Sequence, residues 1–116
     1  MNYRVSVTPD FEKMVKRLAK KYRSLPQDLS ALVESLEEDA HQGVLVYGNV
    51  RKVRLAVKSK GRGKSGGARV LTYLIHLTKE IELKGELSLI AVYDKSSIST
   101  LEDQEIIELL KRAHLI

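Results

Sequence analysis

The chain predicts an α+β fold on three observations. A short alternating strand opens it, two apolar stripes of helical period follow as far as Ala40, and the period changes to that of strands from Val50 onward. Tyr3-Arg-Val-Ser-Val7 alternates and is rich in β-formers, which gives the first strand. Thr8-Pro9 then reads as a helix N-cap with proline at the first helical position. Phe11, Met14, Val15, Leu18, Ala19 and Tyr22 form one apolar face behind that cap, and Lys13, Lys16, Arg17, Lys20 and Lys21 form a solvated basic one. Ser24-Leu-Pro-Gln27 has the form of a capping box. It opens a second helix with Leu25, Leu29, Leu32, Val33, Leu36 and Ala40 on its apolar face, ended by Gly43. A turn this short makes the two helices an antiparallel hairpin.

Three strands are expected next, Val50 to Val57, Ala68 to Leu77 and Glu86 to Tyr93. In the first of these Val53, Leu55 and Val57 point one way and Lys52, Arg54 and Lys58 the other, so the sheet should set an apolar face on the helices and a cationic face toward solvent. Ser99-Thr-Leu-Glu102 caps a final helix whose stripe is Ile106, Ile107, Leu109, Leu110 and Ala113. The expected order is β-α-α-β-β-β-α in one domain spanning residues 1–116.

Composition narrows the chemistry. The chain contains no cysteine, which removes disulfides, thiolate nucleophiles and thiolate zinc sites. His41, His76 and His114 are too far apart in sequence to form a metal-binding pair by motif, so no metal and no cofactor is expected. Nothing in the sequence is long and apolar enough to span a membrane, and the first residues read as a strand where a signal peptide would be apolar. The expected location is the cytoplasm.

The charge is strongly polarised. The window from Ala40 to Lys79 holds nine Lys or Arg and no Asp or Glu, so the net +5 is +9 there and −4 elsewhere. Clustered cations bind phosphates and release condensed counterions, which points to a polyanionic ligand. Gly61, Gly63, Gly66 and Gly67 in the same window allow close backbone approach, and the loop lacks the spacing of a nucleoside-triphosphate loop.

RNA cleavage without a metal needs a group to take the 2′-hydroxyl proton, one to protonate the leaving 5′-oxygen, and cations to hold the charge that builds on phosphorus. No histidine pair is placed for this, so Lys52, Arg54, Arg69, Tyr93 and Lys95 are the catalytic candidates. Arg69 suits a phosphate clamp, because guanidinium binds phosphate through a bidentate fork. On a polar surface its removal should cost activity more than fold. Arg51, Lys58, Lys60, Arg62 and Lys64 are the candidate RNA contacts that add affinity.

Gly48-Asn-Val-Arg-Lys-Val-Arg-Leu55, Lys60-Gly-Arg-Gly-Lys-Ser-Gly-Gly-Ala-Arg-Val70 and Ala91-Val-Tyr-Asp-Lys-Ser96 together resemble the toxins of bacterial type II toxin–antitoxin modules, in the RelE/HigB group. The resemblance implies a RelE-like fold, with two N-terminal helices on a small, mainly antiparallel sheet and a C-terminal helix. It implies an mRNA interferase, an endoribonuclease that cuts mRNA on the ribosome through a 2′,3′-cyclic phosphate and inhibits translation. It places a phosphate-binding arginine at Arg69, cationic acid/base groups at Lys52 and Arg54, and a contribution from the strand end at Tyr93 and Lys95. A C-terminal histidine used by some members has no counterpart, since His114 lies beyond the last helical turn. The implied partners are mRNA on the ribosome and a cognate, HigA-like antitoxin with a helix-turn-helix. The alternatives are a ParE-like poison of DNA gyrase and an RNA- or ribosome-binding protein without catalysis.

Overall fold

The computed structural model describes residues 2–61, 67–78, 84–98 and 100–116. Thr8 caps the first helix as its sequence requires: its hydroxyl accepts from the Phe11 N–H at 3.1 Å, and Pro9 begins the helix. Strand β1 is Asn2–Val7, and helices α1 and α2 are Pro9–Lys21 and Leu25–Glu38. Strands β2 to β5 are Val44–Tyr47, Val50–Leu55, Ala68–Thr78 and Lys84–Asp94, and α3 is Asp103–Arg112. A 3-10 turn, Lys58–Lys60, follows β3. The α+β class is as expected, but the order is β-α-α-β-β-β-β-α, with one strand more than sequence periodicity predicts.

That strand is β2. Val44-Leu-Val-Tyr47 runs into Gly48-Asn49 and turns back into β3, with Tyr47 opposite Val50. Gly48 sits at φ +51°, the sign a two-residue hairpin turn demands at its first central position. The five strands form one mixed sheet in the order β1-β5-β4-β3-β2, with β1 parallel to β5 and every other pair antiparallel.

Two cap readings are corrected. Ser24 makes no cap hydrogen bond to α2, because its hydroxyl is drawn to the Asp28 carboxylate at 2.6 Å and to Ser59 at 2.9 Å. The box on α3 forms three residues later than Ser99 to Glu102: Glu102 is the cap, and Glu105 accepts from its backbone N–H. Gly43 does not end α2, which closes at Glu38. It leads into β2 at φ +96°, where an added Cβ would lie 2.5 Å from the Lys52 carbonyl oxygen. Gly43→Ala is therefore expected to lose about 1–3 kcal/mol of stability in urea denaturation, with the β2–β3 seam opening first.

The sheet has apolar material on both faces, which amends the expectation of a wholly solvated cationic face. Helices α1 and α2 cover one side through Phe11, Leu25, Leu29, Leu32 and Leu36, packed on Val53, Leu55, Val70, Leu87 and Val92. On the other side Ile106, Leu109 and Leu110 of α3 pack on Val50, Leu71, Ile90, Ala91 and Tyr93. The part of this second face that α3 leaves uncovered carries the candidate site. A bulge decides what stands there: Leu71 pairs with Ala91 and Thr72 with Leu89, so Ile90 is an extra residue in β5. It reverses the alternation, so Leu87 and Leu89 face α1 and α2 while Ala91 and Tyr93 face the other way.

A cationic cleft as candidate functional site

Register brings the candidates together. Arg54 of β3 lies directly opposite Arg69 of β4, which lies directly opposite Tyr93 of β5. Directly opposed residues share a sheet face, so the three form one cross-strand row. Lys52 stands two residues from Arg54 on the same face. Lys52, Arg54, Arg69 and Lys95 line one open cleft of ≈ 500 Å³, together with Gln42, Gly43, Val44, Val46 and Val53. No carboxylate is among these lining residues. Four cations facing one concavity form a focused positive field of the kind that attracts phosphate.

The four differ in exposure. Arg54 and Lys95 are exposed and Lys52 is half-buried. Arg69 is only 4% exposed, and its guanidinium donates to the Ala68 carbonyl at 3.1 Å. The expectation that Arg69 stands on a polar surface is thus corrected: it lies in the floor of the cleft, and its removal must cost fold as well as function.

Tyr93 is buried in the second core cluster and is one of the residues lining a smaller cavity of ≈ 340 Å³ between β5 and α1. Its hydroxyl is buried with no hydrogen-bond partner among the described residues. Burial pushes the phenol up from its usual range, and the neighbouring Arg69 charge pulls back part of that shift. The phenol therefore keeps its proton at neutral pH, which suits a donor to a leaving oxygen. Leaving a buried hydroxyl unsatisfied costs about 1–3 kcal/mol. Tyr93→Phe is accordingly expected to hold or raise stability by about 1 kcal/mol in thermal unfolding. If the hydroxyl serves chemistry, the same substitution lowers RNA cleavage at least roughly tenfold.

The candidate RNA contacts divide. Lys60 is corrected outright: its side chain is 7% exposed and its ammonium is bound to Asp94, to the Gly67 carbonyl at 3.2 Å and to Ser96 at 2.9 Å. It also lies 5.3 Å from the centre of the Tyr22 ring. Those bonds occupy its donors, so Lys60 is a strut. Arg51 points to the helix side of β3 by alternation and does not line the cleft. Lys58 is exposed on the 3-10 turn and does not line the cleft. Arg62 and Lys64 lie outside the described residues.

Asp94 reads in sequence as a residue that caps a turn or pairs with the neighbours of Lys95, outside the catalytic set. In the fold it is 4% exposed and gathers Lys60, the Tyr22 hydroxyl at 2.7 Å, and the Ser96 N–H and hydroxyl at 3.0 and 2.6 Å. Burial alone would raise its carboxyl, but the bonds from Lys60, Ser96 and Tyr22 outweigh it and hold the group well below the carboxylate range. Asp94 is thereby anchored on the α1 side, and its neighbour Lys95, whose N–H donates to the Gly67 carbonyl at 3.3 Å, lines the cleft. The sequence signal for this network is weak: an aspartate at a strand end, 34 residues from its lysine.

His41 and His76 stack on each other beside Tyr3, with ring centres 5.6 Å apart, and neither lines the cleft. His114 follows α3 in the left-handed region at φ +56°, exposed. Among the described residues no group of three or more His, Cys, Asp or Glu is placed to hold a metal ion. Among them, too, no helix is long and apolar enough to cross a membrane. A scan against models of known protein families found no match, and a search of curated proteins found no relative of this chain.

Proposed function

We propose that this chain is the toxin of a type II toxin–antitoxin module of the RelE/HigB kind, a ribonuclease that cuts mRNA on the ribosome. The observation that carries the reading is the convergence of Lys52, Arg54, Arg69 and Lys95 on one cleft without a carboxylate. The cross-strand row of Arg54, Arg69 and Tyr93 supports it, as does a helix pair on a mostly antiparallel sheet.

In such a cleft Arg54 and Arg69 hold the non-bridging oxygens of the scissile phosphate and stabilise the extra charge of the transition state. The 2′-oxygen attacks phosphorus and the bond to the 5′-oxygen breaks, leaving a 2′,3′-cyclic phosphate and a free 5′-hydroxyl. Arginine does not exchange its proton, so the amines of Lys52 and Lys95 are the lining groups that can take one from the 2′-hydroxyl. Tyr93, protonated in the wall behind Arg69, is the candidate donor to the leaving oxygen once substrate opens a path to it. The cytoplasm, the ribosomal A site and a HigA-like antitoxin that silences the protein complete the proposal.

Mapping of 5′-ends on a translated mRNA with purified ribosomes tests it. New ends within codons that depend on translation are the expected result. Absence of new ends from folded protein, with inhibition of DNA supercoiling by gyrase, would transfer the reading to a ParE-like poison. Absence of both, with salt-dependent ribosome binding, would leave a binding protein.

A further inference from the structure

Strand β2 lies at the edge of the sheet, paired on one side with β3 and on the other with no strand among the described residues. Its whole sequence is Val-Leu-Val-Tyr, and all four side chains are exposed: Val44 68%, Leu45 57%, Val46 36% and Tyr47 36%. Edge strands are ordinarily protected by a charge, a proline or a covering loop, since their free N–H and C=O groups are a template for pairing. Within β2 there is neither charge nor proline. Apolar exposure on both faces of one strand, with a free edge, is the mark of a segment that becomes covered.

What covers it follows from charge and size. A second copy is disfavoured, since two β2 strands would contribute four side chains each, against roughly 20–30 residues a side in a standard interface. A two-fold seam would also bring two cationic clefts side by side, because Val44 and Val46 are themselves wall residues of the cleft that holds Lys52, Arg54, Arg69 and Lys95. The same geometry favours an acidic partner. Val44 lies directly opposite Lys52 on β3, so a strand added beyond β2 places its cleft-side residues about two strand spacings, ~9.6 Å, from Lys52. A glutamate and a lysine reaching toward each other close that distance.

We propose that the free edge of β2 is the docking site for an extended segment of a partner protein, which joins the sheet as a sixth strand. Its cleft-side residues are acidic and approach Lys52 and Arg54. Its other side is apolar and covers Leu45, which lies opposite Arg51 on the face away from the cleft. The inference does not rest on RNA cleavage, and its test contains no RNA.

The probe is a capped eight-residue peptide of alternating Glu and Val, added to the isotope-labelled full chain at low salt. Amide hydrogen exchange and chemical shifts are read by NMR. Alternate amides within residues 44–47 are expected to exchange at least tenfold more slowly at saturation. The peptide with Lys in place of Glu should bind at least tenfold more weakly, and so should a peptide N-methylated at alternate Val residues. No slowing in β2, equal binding of the Lys peptide, or shifts confined to the cleft cations would each overturn the proposal. So would sedimentation of the chain alone as a dimer whose β2 amides are protected, which would make a second copy the occupant.

Discussion

Asp94→Asn is expected to remove roughly 3–5 kcal/mol of stability at pH 7. Asparagine keeps the shape and an oxygen for the Ser96 N–H. It removes the charge opposite the Lys60 ammonium, which is 7% exposed against 4% for Asp94 and would stay buried without a counter-ion. Lys21, at 3.7 Å from the same carboxylate but 63% exposed, adds little to that balance. The pH dependence has a definite sign. The folded carboxyl is depressed below its unfolded value, so the stabilisation is complete above the unfolded value of about 3.9 and is lost as the pH falls from there toward the folded value. Urea denaturation from pH 7 to pH 2.5 should show wild-type protein losing stability below about pH 4. The Asn variant should start lower and follow a flatter curve in that window. A variant within about 1 kcal/mol of wild type at pH 7 would show that the Lys60–Asp94 pair is replaceable by neutral hydrogen bonds.

This network explains why the cleft has a definite shape on an exposed strand end. Asp94 ties α1 through Tyr22, the 3-10 turn through Lys60 and the following turn through Ser96. Lys60 extends the tie to the Gly67 carbonyl, two residues before Arg69. The chain before Arg69 and on either side of Lys95 is therefore fixed from the helix side of the sheet, while their place is on the cleft side. The lysines that read in sequence as part of the RNA-facing surface divide into two roles here. Lys60 and Tyr22 hold the frame, and Lys52 and Lys95 line the cleft.

Most of the fold was legible because local chemistry and long periods agree. The Thr8-Pro9 cap, the stripe from Phe11 to Tyr22, and the alternation of Val53, Leu55 and Val57 each follow from spacing alone. Strand β2 escapes such a reading although Gly48-Asn49 after Val44-Leu-Val-Tyr47 is a hairpin signal. A four-residue strand is too short for periodicity to show, and exposed apolar side chains do not announce an edge. Tyr93 reads in sequence as a neighbour of Arg69 only on the condition that the two strands pair, and the face it stands on cannot be read from alternation. Strict alternation from Leu87 and Leu89 would have turned Tyr93 toward α1 and α2, and the bulge at Ile90 reverses it. The burial of Lys60 was equally hidden, because its partner lies 34 residues away. The candidate site was thus legible in its residue types and in four of its five candidate positions as cleft residues, and illegible wherever a bulge or a distant carboxylate decides which way a side chain faces.

Arg54→Ala and Lys95→Ala separate chemistry from fold more cleanly than any change at Arg69. Both side chains are exposed, so each variant should keep its unfolding free energy within about 0.5 kcal/mol of wild type. Arg69, buried in the cleft floor, offers no such separation. If the cleft holds the scissile phosphate, each exposed cation removed takes away charge that opposes the charge developing on phosphorus. Loss of one preorganised group of this type costs on the order of 100- to 1,000-fold in turnover. The measurement is cleavage of ribosome-bound mRNA at saturating protein, so weakened binding does not contribute. Lys13→Ala removes the same formal charge from the exposed side of α1, away from the cleft, and should leave saturated cleavage within about twofold. Binding adds a second readout. An Arg54 guanidinium that neutralises one phosphate lowers the slope of log affinity against log salt by about one when it is removed. A fall in slope without a fall in turnover would make Arg54 an anchoring residue and move the chemistry to Lys52 and Lys95. Equal losses in Arg54→Ala and Lys13→Ala would mean that the protein's overall charge, and not the cleft, governs the reaction.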